Sequence, residues 1–198
     1  MSRTWTAAQA AVILNEPLGV LRKVVEREPV RPRIVERKGV RVRHFGLADL
    51  VYLHAYPELK EDYTPAGRSK LYESLVKVAR HGSVAEVAAG SYRFDFGRHF
   101  NEVKSRLDEL EALTDEIAVT DDEAFIKGTR IQAHRIAALL EGMTVEDVRA
   151  DYPSLSERQI RAAQAYAEAN PRPGRPFPKT TAKAALRGVD LSVLDDGA

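Results

Sequence analysis

Helix-start signals and prolines divide this sequence into short helices, and this division constrains the fold more than any other feature. Thr6-Ala-Ala-Gln9 and Ser156-Glu-Arg-Gln159 have the spacing of a capping box, in which the hydroxyl accepts from a backbone amide and the glutamine reaches back. Thr144 marks another helix start, and Pro17 suits a first helical turn because its missing N–H would be unpaired there. The pattern predicts a mainly α protein with short β-strands between the helices.

The first sixty residues have the order helix, turn, helix, hairpin, helix. Apolar residues recur at helical spacing over residues 7–14 and again from residue 18 towards Pro29. Residues 33–45 end in an alternation of apolar and basic side chains, which is the period of a strand, and Lys38-Gly39 has the composition of a turn between two strands. A third helix is expected to end near Pro57, because proline interrupts helical hydrogen bonding.

The remainder divides into a middle segment, a second group of helices and a tail. Thr64-Pro65 starts a helix, residues 84–96 have extended character, and residues 100–113 form an acidic amphipathic helix. Short strands within 117–131 precede three helices, and prolines after Asn170 predict a tail that orders on a partner. The predicted segments are 1–60, a winged helix-turn-helix; 61–114, connecting helices and strand; 115–169, a homeodomain-like C-terminal helix-turn-helix; and 170–198, a flexible, extended tail.

The composition argues against enzymatic chemistry. The sequence has no cysteine, which excludes disulfides, zinc fingers, iron–sulfur clusters and thiol catalysis. Its five histidines are scattered, without the i, i+4 spacing of a helical metal pair, and it has no nucleophile-elbow, phosphate-loop or dinucleotide-binding motif. We therefore expect a non-catalytic protein with no metal and no cofactor. No apolar run approaches the ~20 residues of a membrane span, so we expect a cytoplasmic protein that does not contact a membrane.

Positive charge is concentrated at the start of the chain. Residues 1–45 hold ten Lys or Arg against four Glu, whereas residues 102–123 hold two against nine Asp or Glu. A basic helix followed by a basic hairpin suits contacts to DNA phosphates, which supply affinity but little sequence choice. The alternative is a solvated basic face on an ordinary helical domain. The candidate DNA-binding residues of this segment are Arg22, Lys23, Arg27, Arg33, Arg37, Lys38, Arg41 and Arg43.

The N-terminal segment resembles the winged-helix head of MerR and excisionase-like regulators. The resemblance covers about residues 4–58 and implies a helix-turn-helix whose second helix enters the major groove, with the hairpin as a wing. The sequence departs from the family in the long run Glu28–Arg33, between the second helix and the hairpin. The matching stretches are Trp5–Leu14, Leu21-Arg22-Lys23, Val42–Phe45 and Ala48-Asp49-Leu50.

A second resemblance covers about residues 115–169. This segment is similar to the small helix-turn-helix family called domain of unknown function 433. Its hallmarks here are Gly128-Thr129-Arg130, Gly142-Met143-Thr144, Asp151-Tyr152-Pro153 and Ala165-Tyr166. Gly128 frees the backbone for a tight turn, which Thr129 and Arg130 are expected to fix by hydrogen bonds.

The last helix of that segment supplies a second set of candidate DNA-binding residues. Arginine and glutamine are good readers of guanine and adenine edges. The alternative is that the segment serves dimerisation or packing and that its polar face is merely solvated. The candidates are Arg158, Gln159, Arg161 and Gln164.

The second resemblance implies a VapB-type antitoxin of a type II toxin–antitoxin system. Such antitoxins bind a PIN-like ribonuclease toxin and repress their own operon at double-stranded operator DNA. We expect a homodimer, because helix-turn-helix proteins usually read two half-sites with two-fold symmetry. One alternative is a stand-alone MerR-like transcriptional regulator without a toxin partner, and another is an inhibitor or scaffold that never contacts DNA.

The tail has the composition of a segment that binds an acidic partner. A PIN-like ribonuclease holds metal ions with clustered carboxylates, and a cationic segment lying across that site would block it. Apolar residues that persist to the end of the tail weigh against a solvated linker, which is the alternative. The candidate partner-binding residues are Arg172, Arg175, Phe177, Lys179, Lys183, Leu186, Arg187, Leu191 and Leu194.

Overall fold

The computed structural model describes residues 3–37, 39–79, 84–120, 123–172, 177–181 and 184. Within these residues the chain is mainly helical, with eight helices and seven short strands that pair antiparallel. This confirms the predicted mainly α composition with short strands. The chain divides into two compact units, Met1–Leu110 and Glu111–Ala198, and each has its own cluster of buried apolar residues. None of the described helices is both long enough and apolar enough to cross a bilayer.

The first unit begins with two short helices that are followed by a β-hairpin. Strand β1 (Trp5–Thr6) leads into α1 (Ala7–Leu14), and α2 (Leu18–Arg27) follows. The hairpin consists of β2 (Arg33–Arg37) and β3 (Val40–Phe45), and β1 pairs with β3, so the sheet has the order β1-β3-β2. The unit continues with α3 (Leu47–Asp62), α4 (Pro65–Val78), β4 (Glu86–Ala89), β5 (Tyr92–Asp95) and α5 (Gly97–Thr114), which runs on past the boundary.

The start of the first unit follows the predicted capping pattern. Thr6 Oγ1 accepts from the Gln9 N–H at 3.3 Å, and Gln9 Oε1 accepts from the Thr6 N–H at 2.9 Å. Asn15 ends α1 in the left-handed conformation at φ 54°, which asparagine adopts more readily than most residues. Pro17 is the residue before α2 rather than part of its first turn, so the helix begins slightly later than predicted.

The third helix continues through Pro57, where the sequence predicted its end. A proline inside a helix costs about 3 kcal/mol. Leu59, beyond the proline, is fully buried, and full burial of a leucine side chain returns about 1.5–3 kcal/mol. The helix ends only at Asp62, and the Tyr63 N–H caps it by donating to the Leu59 carbonyl at 3.0 Å. Burial of Leu59 therefore offsets half or more of the cost of the proline, and the helix continues despite the local signal.

The middle segment contains a hairpin where one extended stretch was predicted. Strands β4 and β5 pair antiparallel, and Gly90 forms the turn between them at φ 66°. Glycine adopts this conformation without steric cost. The predicted acidic amphipathic helix is present as α5, and its buried side chains are His99, Phe100, Val103 and Leu107.

The second unit consists of a hairpin and three short helices. Its core is formed by side chains that include Ile126, Ile136, Val148 and Ile160, all fully buried. The two predicted helix starts at Thr144 and Ser156 are both capping boxes. The elements are β6 (Ile117–Thr120), β7 (Glu123–Ile126), α6 (Ala133–Leu139), α7 (Val145–Asp151) and α8 (Glu157–Ala169).

A glycine turn links β7 to the helices of the second unit. Gly128 lies at φ 75° with open space around it. Thr129 Oγ1 donates to the Ile126 carbonyl at 2.9 Å and accepts from the Ile131 N–H at 3.1 Å, as expected of a residue that fixes the turn. Arg130 was expected to assist, but its side chain is exposed and forms no hydrogen bond to any described residue.

We expect Gly128→Ala to lower the free energy of unfolding of the second unit by about 1–2 kcal/mol, because a side chain is strained in the left-handed region. Urea denaturation followed by circular dichroism measures the change. Gly128→Asn is the matched control and should cost less than the alanine variant, since asparagine tolerates this conformation. An alanine variant as stable as the parent would contradict the expectation.

Candidate nucleic-acid interface

The predicted cations of α2 lie on its outer face. Leu21 and Val25 are buried against the core of the unit, whereas Arg22, Lys23 and Arg27 are all exposed. Lys23 and Arg27 are four residues apart and therefore lie one above the other, with Arg22 beside them. The outer face of the helix thus carries three cations, and the exposed Glu26 lies among them, one turn after Arg22.

The hairpin divides its arginines between two faces. Arg41 and Arg43 lie on one face and Arg33 on the other, because successive residues of a strand alternate in direction and the register pairs Arg33 with His44. Arg37 is the last residue of β2, and Lys38 lies outside the described residues. The described hairpin cations therefore do not all face one ligand at the same time.

Arg22 of α2 meets Arg41 and Arg43 of β3 around one cleft, which we call the arginine cleft. Its volume is about 340 Å³. All three arginines are exposed residues. Several positive charges around a concave, partly apolar wall raise the positive potential inside the cleft. Each guanidinium group can also bind two phosphate oxygens at once, through two parallel hydrogen bonds. The other lining residues are Ala7, Leu21, Val25, Val42 and Phe45.

No acidic side chain forms an ion pair with these cations within the part of the chain that the structure describes, although the exposed Glu36 stands opposite Arg41 in the hairpin register. An exposed arginine elsewhere in the unit, Arg93, does have a partner, Glu86, at 3.5 Å. The positive charge of the α2 and β3 surface is therefore available to an external anion. The exposed candidates that form no salt bridge with a described residue are Arg22, Lys23, Arg27, Arg33, Arg41 and Arg43.

A buried polar network, which sequence reasoning did not identify, holds the end of α2. Glu28 directly follows the helix and accepts from Arg68 Nη2 at 2.9 Å and from Arg68 Nε at 3.0 Å. The Tyr52 hydroxyl donates to the same carboxylate at 2.9 Å. The side chains of Arg68 and Glu28 are only 11% and 4% exposed. The two residues are 40 positions apart, so no local pattern indicates the pair.

The segment between α2 and the hairpin is held by a neighbouring set of contacts. The Tyr72 hydroxyl donates to Asp49 Oδ1 at 2.6 Å and accepts from the Arg31 N–H at 3.2 Å. Asp49 Oδ2 accepts from the Gly46 N–H at 2.7 Å. Burial raises the pKa of the Asp49 carboxyl, and the hydrogen bonds from Tyr72 and Gly46 oppose this shift. Burial and the Asp49 carboxylate raise the pKa of Tyr72, so its hydroxyl remains a donor. These contacts fix the backbone on both sides of the hairpin, at Arg31 before β2 and at Gly46 after β3.

The candidate arginines of α8 have carboxylate partners within their own unit. Arg158 Nε lies 3.0 Å from Glu116 Oε1, and Arg161 Nη2 lies 2.6 Å from Glu157 Oε1. Both arginine side chains are 64% exposed, and exposed pairs are worth only about 0–1 kcal/mol. DNA binding by these arginines would therefore require an exchange of partners, which the α2 surface does not require.

The candidate glutamines of α8 are also engaged. Gln159 Oε1 accepts from the Ser156 N–H at 3.0 Å as part of the helix cap, and Gln159 Nε2 donates to the Lys127 carbonyl at 3.3 Å. Gln164 Nε2 donates to Glu168 Oε1 at 3.1 Å. A glutamine that reads a base would have to leave these contacts, and for Gln159 that includes the helix cap.

Residues 177–181 of the tail, which we call the strap, lie against the rest of the second unit. Lys179 Nζ is 2.8 Å from Glu141 Oε2, and the buried Thr181 hydroxyl donates to the Asp151 carboxylate. Ahead of the strap, Arg172 Nη2 is 3.5 Å from Glu123 Oε1, and its guanidinium carbon lies 5.9 Å from the centre of the Phe177 ring. The other partner-binding candidates, Arg175, Lys183, Leu186, Arg187, Leu191 and Leu194, lie outside the described residues.

A protein-family model and a curated protein each match part of this chain. Residues 119–167 match the family model described as Protein of unknown function (DUF433), within the segment whose sequence resembles that family. Uncharacterized protein y4eO of Sinorhizobium fredii (strain NBRC 101917 / NGR234) is 37% identical over 75 residues, which are 35% of this chain and 34% of that protein. The chain therefore spans about a third of the length of the curated relative it matches. No solved structure shows a significant match.

Proposed function

We propose that this protein is a non-catalytic antitoxin of a type II toxin–antitoxin system, which binds operator DNA through its first unit and inhibits a PIN-like ribonuclease through its tail. The observation that carries the DNA-binding part is the arginine cleft, together with the exposed cations of α2 that have no acidic partner among the described residues. The antitoxin part rests on the resemblance of residues 115–169 to the matched family and on the cationic tail.

On this proposal the first unit is a MerR-like winged helix-turn-helix. The α2 helix enters the major groove with Arg22, Lys23 and Arg27, and the β2–β3 hairpin is the wing. Arg41 and Arg43 bind the phosphates that run along the arginine cleft, next to Arg22. Phosphate contacts of this kind fix the register of the protein on DNA and supply its salt-dependent affinity.

The second unit, on the same proposal, is a homeodomain-like helix-turn-helix that serves packing and dimerisation more than DNA reading. The internal partners of Arg158, Gln159, Arg161 and Gln164 support this assignment. The protein acts as a cytoplasmic homodimer, because an operator with two half-sites requires two copies of the first unit.

The second candidate function is a stand-alone MerR-like transcriptional regulator without a toxin. The arginine cleft favours it as much as the antitoxin, since both functions require DNA. A neighbouring reading frame that encodes a short acidic PIN-like protein would favour the antitoxin, and co-purification of the two products after co-expression would separate the two proposals.

The DNA-binding part is tested by fluorescence anisotropy of the full-length protein with the DNA upstream of its own gene, over a salt series. With five cations facing the duplex in each bound copy, the logarithm of the binding constant should fall with the logarithm of the salt concentration at a slope of about −4.5 per copy. These cations are Arg22, Lys23, Arg27, Arg41 and Arg43. Absent binding, or binding that does not depend on salt, would remove the DNA role and leave the inhibitor or scaffold.

We expect truncation after Ala184 to abolish inhibition of the co-expressed toxin while DNA binding stays within about twofold. This cut keeps the strap, whose Lys179 and Thr181 contact the second unit, and removes Leu186, Arg187, Leu191 and Leu194. Toxin inhibition is measured as protection of a ribonuclease substrate. Unchanged protection by the truncated protein would refute the assignment of these residues to the partner, and loss of DNA binding would show damage to the rest of the chain.

A further inference from the structure

The turn after α6 contains a glycine that its own backbone does not require. Among the described glycines, only Gly39, Gly90 and Gly128 have a positive φ. Gly142, three residues beyond the end of α6, is outside that group, so an L side chain would be unstrained at this position. The reason for a glycine here therefore lies in what packs against it.

The strap backbone occupies the place that a side chain on residue 142 would take. A Cβ atom added to Gly142 would lie 2.9 Å from the Lys179 carbonyl oxygen and 3.4 Å from the Lys179 Cβ. Non-bonded carbon atoms are most stable at about 3.5–4.0 Å from their neighbours, so an added methyl group would push the strap away. The obstacle includes main chain, which cannot move aside as the free end of a long side chain can.

Thr181 fastens the other end of the strap to α7. It is only 8% exposed, whereas the three residues before it are exposed. Its hydroxyl donates to the Asp151 carboxylate, at the end of α7, and accepts from the Ala184 N–H at 3.0 Å. A threonine hydroxyl has a single proton, so the bond to Asp151 uses it. Thr181 therefore fixes the position of the strap over Gly142.

Two exposed ion pairs hold the described cations of the tail. Lys179 Nζ lies 2.8 Å from Glu141 Oε2, and Arg172 Nη2 lies 3.5 Å from Glu123 Oε1. All four side chains are at least 41% exposed. Water and salt screen pairs of this kind, so they add little to stability and exchange their partners readily.

The apolar contact of the strap is incomplete. Phe177, its first residue, is only half-buried, and a pocket of about 190 Å³ remains beside it, lined also by residues of α6 and α8. A side chain that borders unfilled space lacks contacts on that side, so Phe177 holds the strap less firmly than a fully packed ring would. The contact is thus specific in shape and weak in strength.

We infer that the corner formed by Glu141, Gly142 and Asp151 is a docking site for an extended chain segment, and that it holds the strap as a releasable latch. The latch keeps Arg172 and Lys179 paired with carboxylates of this chain until an acidic partner takes them over. Release by the partner rests on the proposed function, whereas the docking site does not.

The latch makes the protein compete with its own partner. Glu123 and Glu141 occupy the cations that carboxylates of the partner would bind. When only part of the protein population is competent to bind, the apparent affinity falls by that fraction. A change that prevents docking should therefore strengthen partner binding, although it removes a contact within the protein. Loss of an ordinary packing contact would leave partner binding unchanged or weaken it.

The docking site is tested by limited trypsin digestion of the full-length protein, with the fragments identified by mass spectrometry. Trypsin cleaves after Lys179, whereas the bonds after Arg172 and Arg175 precede proline and resist it. If opening and closing are fast, the cleavage rate follows the released fraction. We expect Gly142→Ala to raise cleavage after Lys179 about tenfold by overpacking the contact. Thr181→Val should raise it about fivefold by removing the hydrogen bond to Asp151.

Gly19→Ala is the matched control, because a Cβ added there meets no atom within 4 Å, and its cleavage after Lys179 should equal that of the wild type. Thr181→Val alters only the strap, so it remains decisive even if Gly142→Ala lowers the stability of the second unit. Circular dichroism verifies that each protein is folded. Cleavage of the Thr181→Val variant, or of a folded Gly142→Ala variant, at the wild-type rate would overturn the docking site.

Release by the partner is tested with the ribonuclease that co-purifies after co-expression. Full-length Gly142→Ala should reach half-inhibition at a lower concentration than the wild type, by up to about tenfold, and Gly19→Ala should match the wild type. Equal or weaker inhibition by Gly142→Ala would overturn the release. If no ribonuclease co-purifies, the proposed function and the release fail together, whereas the digestion still decides the docking site.

Discussion

Replacing Arg68 with methionine should lower the free energy of unfolding of the first unit by about 3–5 kcal/mol, because the Glu28 carboxylate would stay buried without its countercharge. Arg68 supplies two of the three hydrogen bonds that this carboxylate accepts, and the third comes from the Tyr52 hydroxyl. Methionine has a similar length and no charge, so the substitution removes the ion pair with Glu28 and keeps most of the side-chain packing. Urea denaturation followed by Trp5 fluorescence reports on this unit.

Two further variants separate the buried charge from other effects. Arg93→Met breaks an exposed pair of the same unit, Arg93 with Glu86, whose side chains are 72% and 61% exposed, and it should cost less than about 1 kcal/mol. Combining Arg68→Met with Glu28→Gln removes the unpaired charge and should recover at least half of the lost stability. If Arg68→Met costs no more than Arg93→Met, the network is not a principal stabilising feature of the unit.

Replacing Arg22, Arg41 and Arg43 together with glutamine should weaken the binding of each copy to the upstream DNA by about 500-fold at 0.1 M salt. Each lost phosphate contact makes the salt slope about 0.9 units shallower. Because 0.1 M lies one logarithmic unit below 1 M, each lost contact also lowers the binding constant at 0.1 M by about 0.9 logarithmic units. The slope should accordingly become shallower by roughly 2–3 units. Fluorescence anisotropy at several salt concentrations gives both quantities.

The matched control removes arginines from the other candidate surface. Arg158→Gln with Arg161→Gln deletes two exposed arginines that already have carboxylate partners, and affinity should stay within about threefold of the wild type. Circular dichroism at pH 7 and at the assay temperature verifies that the arginine cleft variant and the α8 variant are folded. A larger loss from the α8 variant than from the arginine cleft variant would move the DNA interface to the second unit.

Local features of the sequence were sufficient where the interacting groups are neighbours along the chain. The capping boxes at Thr6 and Ser156 were predicted correctly because their partners stand three residues away. Charge and periodicity, which are also local, made Arg22, Arg41 and Arg43 candidates for DNA binding. Their meeting around one cleft was not predicted, because it depends on how α2 packs against β3.

The features that the sequence did not reveal depend on distant contacts. The helix that passes through Pro57 is retained by burial of Leu59, which no local rule contains. Glu28 and Arg68 are 40 residues apart, and each alone has the appearance of an ordinary surface charge. The partner of Arg158 was equally hidden, since Glu116 lies far away along the chain, in the turn before β6. A charged residue therefore indicates a binding surface only after its own partners are known.

The Glu28–Arg68 contact also determines the shortest segment of this protein that could be moved to another protein with α2 held in place. Arg68 and Tyr72 belong to α4, beyond residue 60, yet they hold the end of α2 and the backbone of Arg31. A graft of residues 1–60 onto another protein would carry a buried glutamate without its guanidinium. The proposed DNA-binding surface can therefore be transplanted, or inherited by a rearranged gene, only together with α4.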